Sequence, residues 1–180
     1  MRRAVFLDLN GTLVLPLKPD RLDELSLIPG VTGAVARLSN AGFTCPVVTV
    51  QSRIGKGLFT LADFERWFAL FAADLDCHGA RIVGTYVCPH RFAEPCVCKK
   101  PSPMLYERAA ADHELSLSGS FVIGDSPSDV RAARRIGAHG LLVRTGWAAD
   151  PDVVAAASAD ASAVVSSLAE AADWILEAAR

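Results

Sequence analysis

Two aspartates lie at the ends of short apolar runs. Asp8 lies near the end of the run at residues 4–9, and Asp125 follows residues 121–124. In a parallel sheet, such strand ends meet in the crevice where the strand order reverses. If these two strands are neighbours, their carboxylates repel each other unless a cation lies between them. Mg²⁺, which binds one or two carboxylates together with water and phosphate oxygens, would resolve that repulsion.

A hydroxyl group and an ammonium group follow two other predicted strands. Thr49 lies near the end of the run at residues 43–50, and Lys100 comes after the run at residues 81–87. The hydroxyl could donate to a phosphate oxygen, and the ammonium could neutralise both a phosphoryl group and an aspartate. Either aspartate alone is more typical of a helix N-cap or a turn. The four groups together predict a magnesium-assisted phosphoryl site.

A second cluster lies within eleven residues, in a proline-rich loop at about 88–98. Three thiolates and an imidazole are what a tetrahedral structural zinc site needs. The alternative is a set of free thiols in an exposed loop, which would be prone to oxidation. Zinc would fix the loop by coupling metal binding to folding, and would thereby fix the lysines directly after it. The four predicted ligands are Cys88, His90, Cys96 and Cys98.

The other two cysteines, Cys45 and Cys77, stand apart from this loop. Free cysteine is commonly buried, so we expect both to be inert packing residues.

The elements that must position these groups alternate along the chain. Short apolar runs predict strands, and amphipathic stretches between them predict helices, including one at residues 61–75 with Thr60 as its N-cap and one that begins at residues 124–127. Alternating strands and helices predict a three-layer α/β/α, Rossmann-like parallel sheet in a single domain, residues 1–180. The Ala-rich stretch at residues 155–163 is either a weak helix or a mobile surface segment. The remaining predicted strands are 139–143 and 163–165, and the remaining helices are 31–41, 104–113 and 168–179.

A family resemblance rests on four motifs in order. Asp8-Leu9-Asn10-Gly11-Thr12 resembles the first motif of the haloacid dehalogenase (HAD) superfamily, usually Asp-x-Asp-Gly-Thr. Thr49 matches the second motif, Lys100 the third, and residues 124–129 the fourth. Residues 48–52 and the cysteine loop resemble the zinc-loop branch that contains the heptose bisphosphate and histidinol phosphatases. No long insertion separates the motifs, so we expect no cap domain.

The resemblance implies a role for each matching residue. Asp8 would attack phosphorus and form an aspartyl-phosphate, with Thr49 and Lys100 supplying hydrogen bonds and countercharge. Asp8, Asp125 and the backbone carbonyl of Asn10 would hold Mg²⁺. Gly11 would permit the sharp turn and Thr12 would stabilise it, while Asp129 would orient Lys100 or a metal-bound water. The expected substrate contacts are Thr49, Gln51, Ser52, Arg53, Lys99 and Lys100.

Asn10 stands where the family's general acid and base is an aspartate. An amide neither protonates a leaving alkoxide nor accepts a proton from water, and such help is commonly worth about 10²–10⁴-fold. Three explanations stay open from the sequence. The substrate has a good leaving group, the protein is a catalytically weak phosphate-binding or regulatory relative, or Asn10 is an artificial change.

Arg53 is a second departure, because the resembling phosphatases usually have glycine there. Its charge could serve a second anionic group on the substrate, or it could be a solvated surface residue.

The composition is that of an ordinary globular protein. The net charge is −2, with 51% hydrophobic and 21% charged residues. This balance gives no indication of nucleic-acid binding, and no apolar run reaches the length of a membrane span. We therefore expect a cytoplasmic, monomeric phosphatase that acts on a small phosphorylated metabolite, perhaps a sugar phosphate.

Overall fold

Strands and helices alternate along the chain, and the computed structural model describes residues 2–179. The strands are β1 (Arg2–Leu7), β2 (Val14–Leu15), β3 (Ser26–Leu27), β4 (Val47–Val50), β5 (Thr85–Cys88), β6 (Leu115–Gly124), β7 (His139–Val143) and β8 (Ala163–Val165). The α-helices are α1 (Val31–Asn40), α2 (Ser52–Gly55), α3 (Leu61–Cys77), α4 (Met104–His113), α5 (Pro127–Arg135), α6 (Pro151–Ala157) and α7 (Leu168–Ala178). Short 3₁₀ turns lie at Leu22–Glu24 and Trp147–Ala149.

Six strands form one parallel sheet in the order β5-β4-β1-β6-β7-β8. The chain moves from β1 outward to β4 and β5, and then crosses to β6 and continues to the other edge. The strand order therefore reverses between β1 and β6, which pair in register with Leu7 opposite Ile123. This is the place where parallel α/β sheets bind ligands, and it confirms the predicted fold class.

Two apolar layers cover the sheet because alternate side chains of each strand point to opposite faces. Val5 and Leu7 belong to the larger core, which is covered by α1, α3 and α7. Ala4 and Phe6 belong to the second core, which is covered by α4 and α5. The result is the expected three-layer arrangement. Between β1 and β4, the structure contains only the β2–β3 hairpin, one 3₁₀ turn and α1.

Several element boundaries differ from the sequence-based expectations. β4 begins at Val47 rather than at residue 43, because Pro46 has no amide hydrogen to give to a neighbouring strand. β5 begins at Thr85 rather than at residue 81, and β6 extends back to Leu115. The Ala-rich stretch overlaps the end of α6, whose N-cap is Asp150. Within residues 2–179, no helix combines the length and hydropathy needed to cross a bilayer.

The packing prediction for the isolated cysteines is right for one and wrong for the other. Cys45 is buried, and burial raises the pKa of its thiol to about 12. Cys77 is exposed because it is the last residue of α3 and lies on the helix surface.

Candidate active site

Three carboxylates converge where β1 and β6 end. Asp8 directly follows β1, Asp125 directly follows β6, and Asp129 lies in the first turn of α5. Oxygen atoms of the three side chains lie within 4.8 Å of one another, and all three residues are buried. The predicted meeting of Asp8 and Asp125 is therefore present in the structure. Asp129 joins them because α5 begins immediately beyond β6.

Lys100 lies at the centre of this carboxylate cluster. Its Nζ donates to Asp8 Oδ1 at 2.6 Å, to Asp129 Oδ1 at 2.5 Å and to the Val48 carbonyl at 3.2 Å. All three ammonium hydrogens thus have a partner, so the side chain is held in one position. The second oxygen of Asp129 accepts from the amide and hydroxyl of Ser126, which closes the capping box of α5.

The charges of the carboxylate cluster do not balance. When all three carboxyl groups are ionised, they face one ammonium and leave an excess of two negative charges in a buried space. Burial and the neighbouring Asp129 raise the pKa of Asp8 to about 6, although Lys100 opposes the shift. Burial, followed by Asp8 and Asp129, raises the pKa of Asp125 to about 8. A divalent cation would supply the positive charge that balances these carboxylates, and carboxylate oxygens are ligands that Mg²⁺ prefers. The donor set therefore fits Mg²⁺.

A loop after β7 completes the cluster, and sequence reasoning missed it. The amide of Trp147 donates to Asp125 Oδ2 at 2.7 Å, and Thr145 Oγ1 donates to the Gly11 carbonyl at 2.6 Å. A Cβ on Gly146 would lie 1.9 Å from Asp125 Oδ2, and one on Gly11 would lie 2.0 Å from the same atom. Any side chain at either glycine would collide with the Asp125 carboxylate. The close approach of the backbone to Asp125 therefore requires glycine at both positions. The available signal was a Gly-Trp pair just after a strand end.

In the turn after Asp8, Gly11 has the predicted role, but the Thr12 side chain does not. Gly11 has a φ of +88°, a left-handed conformation that glycine adopts without strain. The Thr12 hydroxyl is buried with no hydrogen-bond partner, so it does not stabilise the turn. The backbone does so instead, with the amide of Thr12 donating to the Leu9 carbonyl at 3.3 Å.

Asn10, Gln51 and Thr49 form a connected polar group beside Asp8. Gln51 Nε2 donates to Asn10 Oδ1 at 2.8 Å and to Thr49 Oγ1 at 2.9 Å. Asn10 Nδ2 donates to the Pro16 carbonyl at 3.1 Å. Gln51, predicted as a substrate contact, is 3% exposed and uses its amide nitrogen within the protein.

A cleft of about 580 Å³ opens above these groups. Its walls carry five basic side chains, and Phe92 and Trp147 are exposed aromatic residues on its lining. Lys18 Nζ lies 4.5 Å from the centre of the Trp147 ring, a cation–π contact that sequence reasoning also missed. The basic residues are Lys18, Arg53, Lys56, Lys99 and Lys100.

Two of the predicted substrate contacts are engaged with the protein. Arg53 Nη2 donates to the Lys18 carbonyl at 3.0 Å and lies 3.3 Å from Asp20, while its buried Nε has no partner. Arg53 is therefore not a freely solvated surface residue. Lys99 Nζ donates to the carbonyls of Arg91, Phe92 and Glu94 at 2.7–2.9 Å. Substrate contact by either residue stays a prediction.

The Cys/His loop gathers its four predicted ligands at one point. Cys88 Sγ lies 3.6 Å from His90 Nδ1 and 3.7 Å from Cys96 Sγ, and Cys98 Sγ lies 3.2 Å from His90 Nδ1. Zn–S bonds of about 2.3 Å at tetrahedral angles place two sulfurs about 3.8 Å apart. Burial raises the pKa of the Cys88 thiol to about 12, so a nearby cation would be needed to hold it as thiolate.

The Cys/His loop packs directly against α2, whose residues Ser52 and Arg53 line the cleft. A Cβ on Gly55 would lie 2.8 Å from both the Arg91 amide nitrogen and the Pro89 carbonyl. Arg91 Nε donates to the Gly55 carbonyl at 2.7 Å. The backbone amide of Gln51 donates to the Cys88 carbonyl at 2.8 Å. The loop therefore supports α2 as well as Lys100, which follows it in the chain.

Comparison with known proteins finds similar sequences among phosphatases. The HAD-hydrolase-like family model matches residues 97–171. The D-glycero-beta-D-manno-heptose-1,7-bisphosphate 7-phosphatase of Pseudomonas putida is 38% identical over 125 residues, or 69% of this chain and 71% of that protein. The Pseudomonas aeruginosa enzyme of the same name is 36% identical over 149 residues, covering 81% of this chain and 83% of its own length.

A solved structure shares nearly the whole fold. The D,D-heptose 1,7-bisphosphate phosphatase from B. bronchiseptica, complexed with magnesium and phosphate, superposes with a TM-score of 0.86. Its sequence is 29% identical, and the match covers 98% of this chain and 99% of the other.

Proposed function

The chain belongs to the HAD-like phosphatases, and from this premise we propose that it transfers the phosphoryl group of a small sugar phosphate to Asp8 and then to water. The observation that carries the proposal is the carboxylate cluster, in which Lys100 bridges Asp8 and Asp129 while Asp125 faces the same space. We assign Mg²⁺ as its counter-ion, because two excess negative charges are buried there.

In this proposal, the residues of the chain divide the work. Asp8 Oδ1 is held by Lys100, which leaves the other oxygen to attack phosphorus. Lys100 also neutralises charge on the transferring phosphoryl group, and the Thr49 hydroxyl contacts one of its oxygens. Asp129 and Val48 hold Lys100 in place. Asp8, Asp125 and the Asn10 carbonyl would hold Mg²⁺, which when bound supplies Lewis-acid stabilisation of phosphoryl charge.

The substrate class follows from the cleft. Phosphoryl transfer at Asp8 uses Lys100, and four further cations line the same cleft, of which Lys99 is bonded to backbone carbonyls and Lys18, Arg53 and Lys56 are the other three. The Arg53 side chain lines the cleft and keeps 18% of its surface exposed, so an anionic group on the substrate can contact its guanidinium. Together with the aromatic rings of Phe92 and Trp147, this lining supports a sugar that carries two phosphates. The relatives are named as heptose bisphosphate phosphatases, which is consistent with that class.

We further propose that Cys88, His90, Cys96 and Cys98 bind a structural zinc ion. The interatomic distances suit tetrahedral coordination, and all four ligands come from the protein, which leaves no position for substrate. The ion would hold the loop against Gly55 and set the start of the segment that carries Lys100. The cytoplasmic location and the monomeric state stay predictions from the sequence.

The test is hydrolysis of a panel of phosphate esters by the full chain. The panel contains heptose 1,7-bisphosphate and singly phosphorylated hexoses, each assayed with Mg²⁺ and with excess EDTA. We expect Mg²⁺-dependent release of phosphate, with the bisphosphate preferred over the monophosphates. If no ester is hydrolysed with Mg²⁺, or if EDTA leaves the rate unchanged, the proposed function is wrong.

A further inference from the structure

The amide of Asn10 is built into the site in one orientation. The Pro16 carbonyl can only accept a hydrogen bond, so the atom that faces it at 3.1 Å must be Nδ2. The other amide atom, Oδ1, then accepts from Gln51, whose position is fixed in turn by Thr49. Because both ends of the amide have partners, Asn10 is held as a neutral group beside the nucleophile.

No other group in the cleft replaces the missing acid and base. Along the part of the cleft that residues 2–179 form, the lining contains no glutamate and no histidine. Its two carboxylates, Asp8 and Asp125, are the nucleophile and a member of the cation site. The remaining polar groups are ammonium, guanidinium, hydroxyl and amide groups. Charged lysine and arginine side chains cannot accept a proton from water at neutral pH.

These observations affect the two halves of the reaction differently. In the first half, a departing alkoxide needs a proton, whereas a phenolate or carboxylate leaves without one. In the second half, water needs a base whatever the donor was. Lys100 and Thr49 are in place to support attack by Asp8. The first half is therefore selective for the leaving group, and the second half is slow for every donor.

Resting on the proposed function, we propose that Asp8 takes a phosphoryl group faster from activated phosphates, such as acyl or aryl phosphates, than from sugar phosphates, and that the aspartyl-phosphate accumulates with either donor. In the first step, an Asp8 carboxylate oxygen bonds to phosphorus while the bond to the leaving oxygen breaks, and that oxygen keeps the electron pair. In the second step, water bonds to phosphorus, Asp8 departs as carboxylate, and both hydrogens of the water end on dihydrogen phosphate or in solvent.

Asn10→Asp is a suitable test because the structure also predicts its behaviour. An aspartate there would place an acceptor oxygen against the Pro16 carbonyl, where Asn10 now donates. A carboxyl group can give up and accept a proton, which the amide of Asn10 cannot do. Asn40→Asp is the matched control, because Asn40 is the only other asparagine in the chain and is exposed at the end of α1.

The experiment compares two donors of similar size with the Mg²⁺-loaded full chain in rapid-mixing assays. p-Nitrophenyl phosphate releases a stable phenolate, and benzyl phosphate releases an alkoxide. For the native chain we expect a burst of about one nitrophenolate per site, and a first-turnover transfer from benzyl phosphate to Asp8 that is slower by at least about 100-fold. Asn10→Asp should raise benzyl phosphate turnover by at least about 100-fold and abolish the burst, while Asn40→Asp should match the native chain.

A mass measurement gives a second readout. After mixing with acetyl phosphate, the native chain should carry one added phosphoryl group, which Asp8→Asn should lack. The inference is wrong if the native chain turns over both donors equally without a burst, or if Asn10→Asp keeps the burst and leaves the benzyl phosphate rate unchanged. If neither the native chain nor Asn10→Asp transfers a phosphoryl group from any donor, the proposed phosphatase function is wrong as well. Failure of the proposed function can thus be told apart from failure of this inference alone.

Discussion

The two ligand clusters of this protein are assembled in opposite ways. The carboxylate cluster draws its groups from separate places in the chain, from Asp8 to Trp147, and the parallel sheet brings them together. The Cys/His loop supplies all four of its groups from eleven residues. The fold positions the first cluster, whereas we propose that a bound metal positions the second. Damage to the first should therefore stop chemistry, and damage to the second should loosen structure.

The largest effect should come from Asp8→Asn. Loss of the nucleophile should lower kcat by at least about 10³-fold, because the covalent route is closed. The zinc content and the melting temperature should change little. Asp74→Asn makes the same chemical change at an exposed position on α3 and should leave kcat unchanged. Residual activity of Asp8→Asn within about tenfold of the native rate would contradict the assignment.

Cys88→Ser should have the largest effect on structure. Serine is a poor zinc ligand, so metal analysis should show about one zinc per native chain and almost none in the variant. We expect about 3 kcal/mol of lost stability, or a fall of about 6–12 °C in Tm.

Cys77→Ser is the matched control, because Cys77 is exposed and far from the loop in sequence. It should keep both the zinc and the Tm of the native chain. Equal zinc content in Cys88→Ser and the native chain would contradict the proposal that a bound metal positions the Cys/His loop.

Gly146→Ala tests how tightly the sheet-assembled cluster is packed. The new methyl group would overlap Asp125 Oδ2 and must displace that carboxylate. We expect Mg²⁺ activation to need about 10-fold more metal, since small shifts of a ligand weaken metal binding. Gly33→Ala, in open space on α1, should behave like the native chain. A normal Mg²⁺ dependence of Gly146→Ala would show that Asp125 is not a metal ligand.

The last effect concerns the pH dependence of stability in the metal-free protein. Burial raises the folded-state pKa of Asp125 from 3.8 to about 8, so the folded state binds this proton more tightly than the unfolded state. Stability should therefore fall as pH rises from about 4 to about 8. Excess EDTA, thermal melts across this range and Asp125→Asn test the effect. The variant should show a shallower fall, and saturating Mg²⁺ should flatten the native curve.

Strand ends and local spacing are the features that the sequence predicts well. The apolar runs before Asp8 and Asp125 indicate two strands, and the repulsion between their carboxylates indicates that they share a cation. The limits of α4, Met104 and His113, also follow from the sequence pattern. The Cys/His spacing is local, so it indicates the ligand set without knowledge of the fold.

Tertiary contacts are what the sequence does not predict. Nothing local indicates that the Trp147 amide would donate to Asp125, because a backbone group has no residue-type signal. Likewise, Lys99 carries a charge that suggests phosphate binding, yet its ammonium group donates to three carbonyls of the neighbouring loop. Arg53 pairs with Asp20 across 33 residues, which only the folded chain brings together.

The central claim is that Asp8 and Asp125 share a divalent cation beside Lys100. Crystals of the full native chain grown with Mn²⁺ in place of Mg²⁺ would locate that ion directly by its anomalous scattering. We predict one strong peak within bonding distance of both carboxylates, which is lost when Asp125 is changed to Asn. A peak elsewhere in the chain, with none between Asp8 and Asp125, would contradict it.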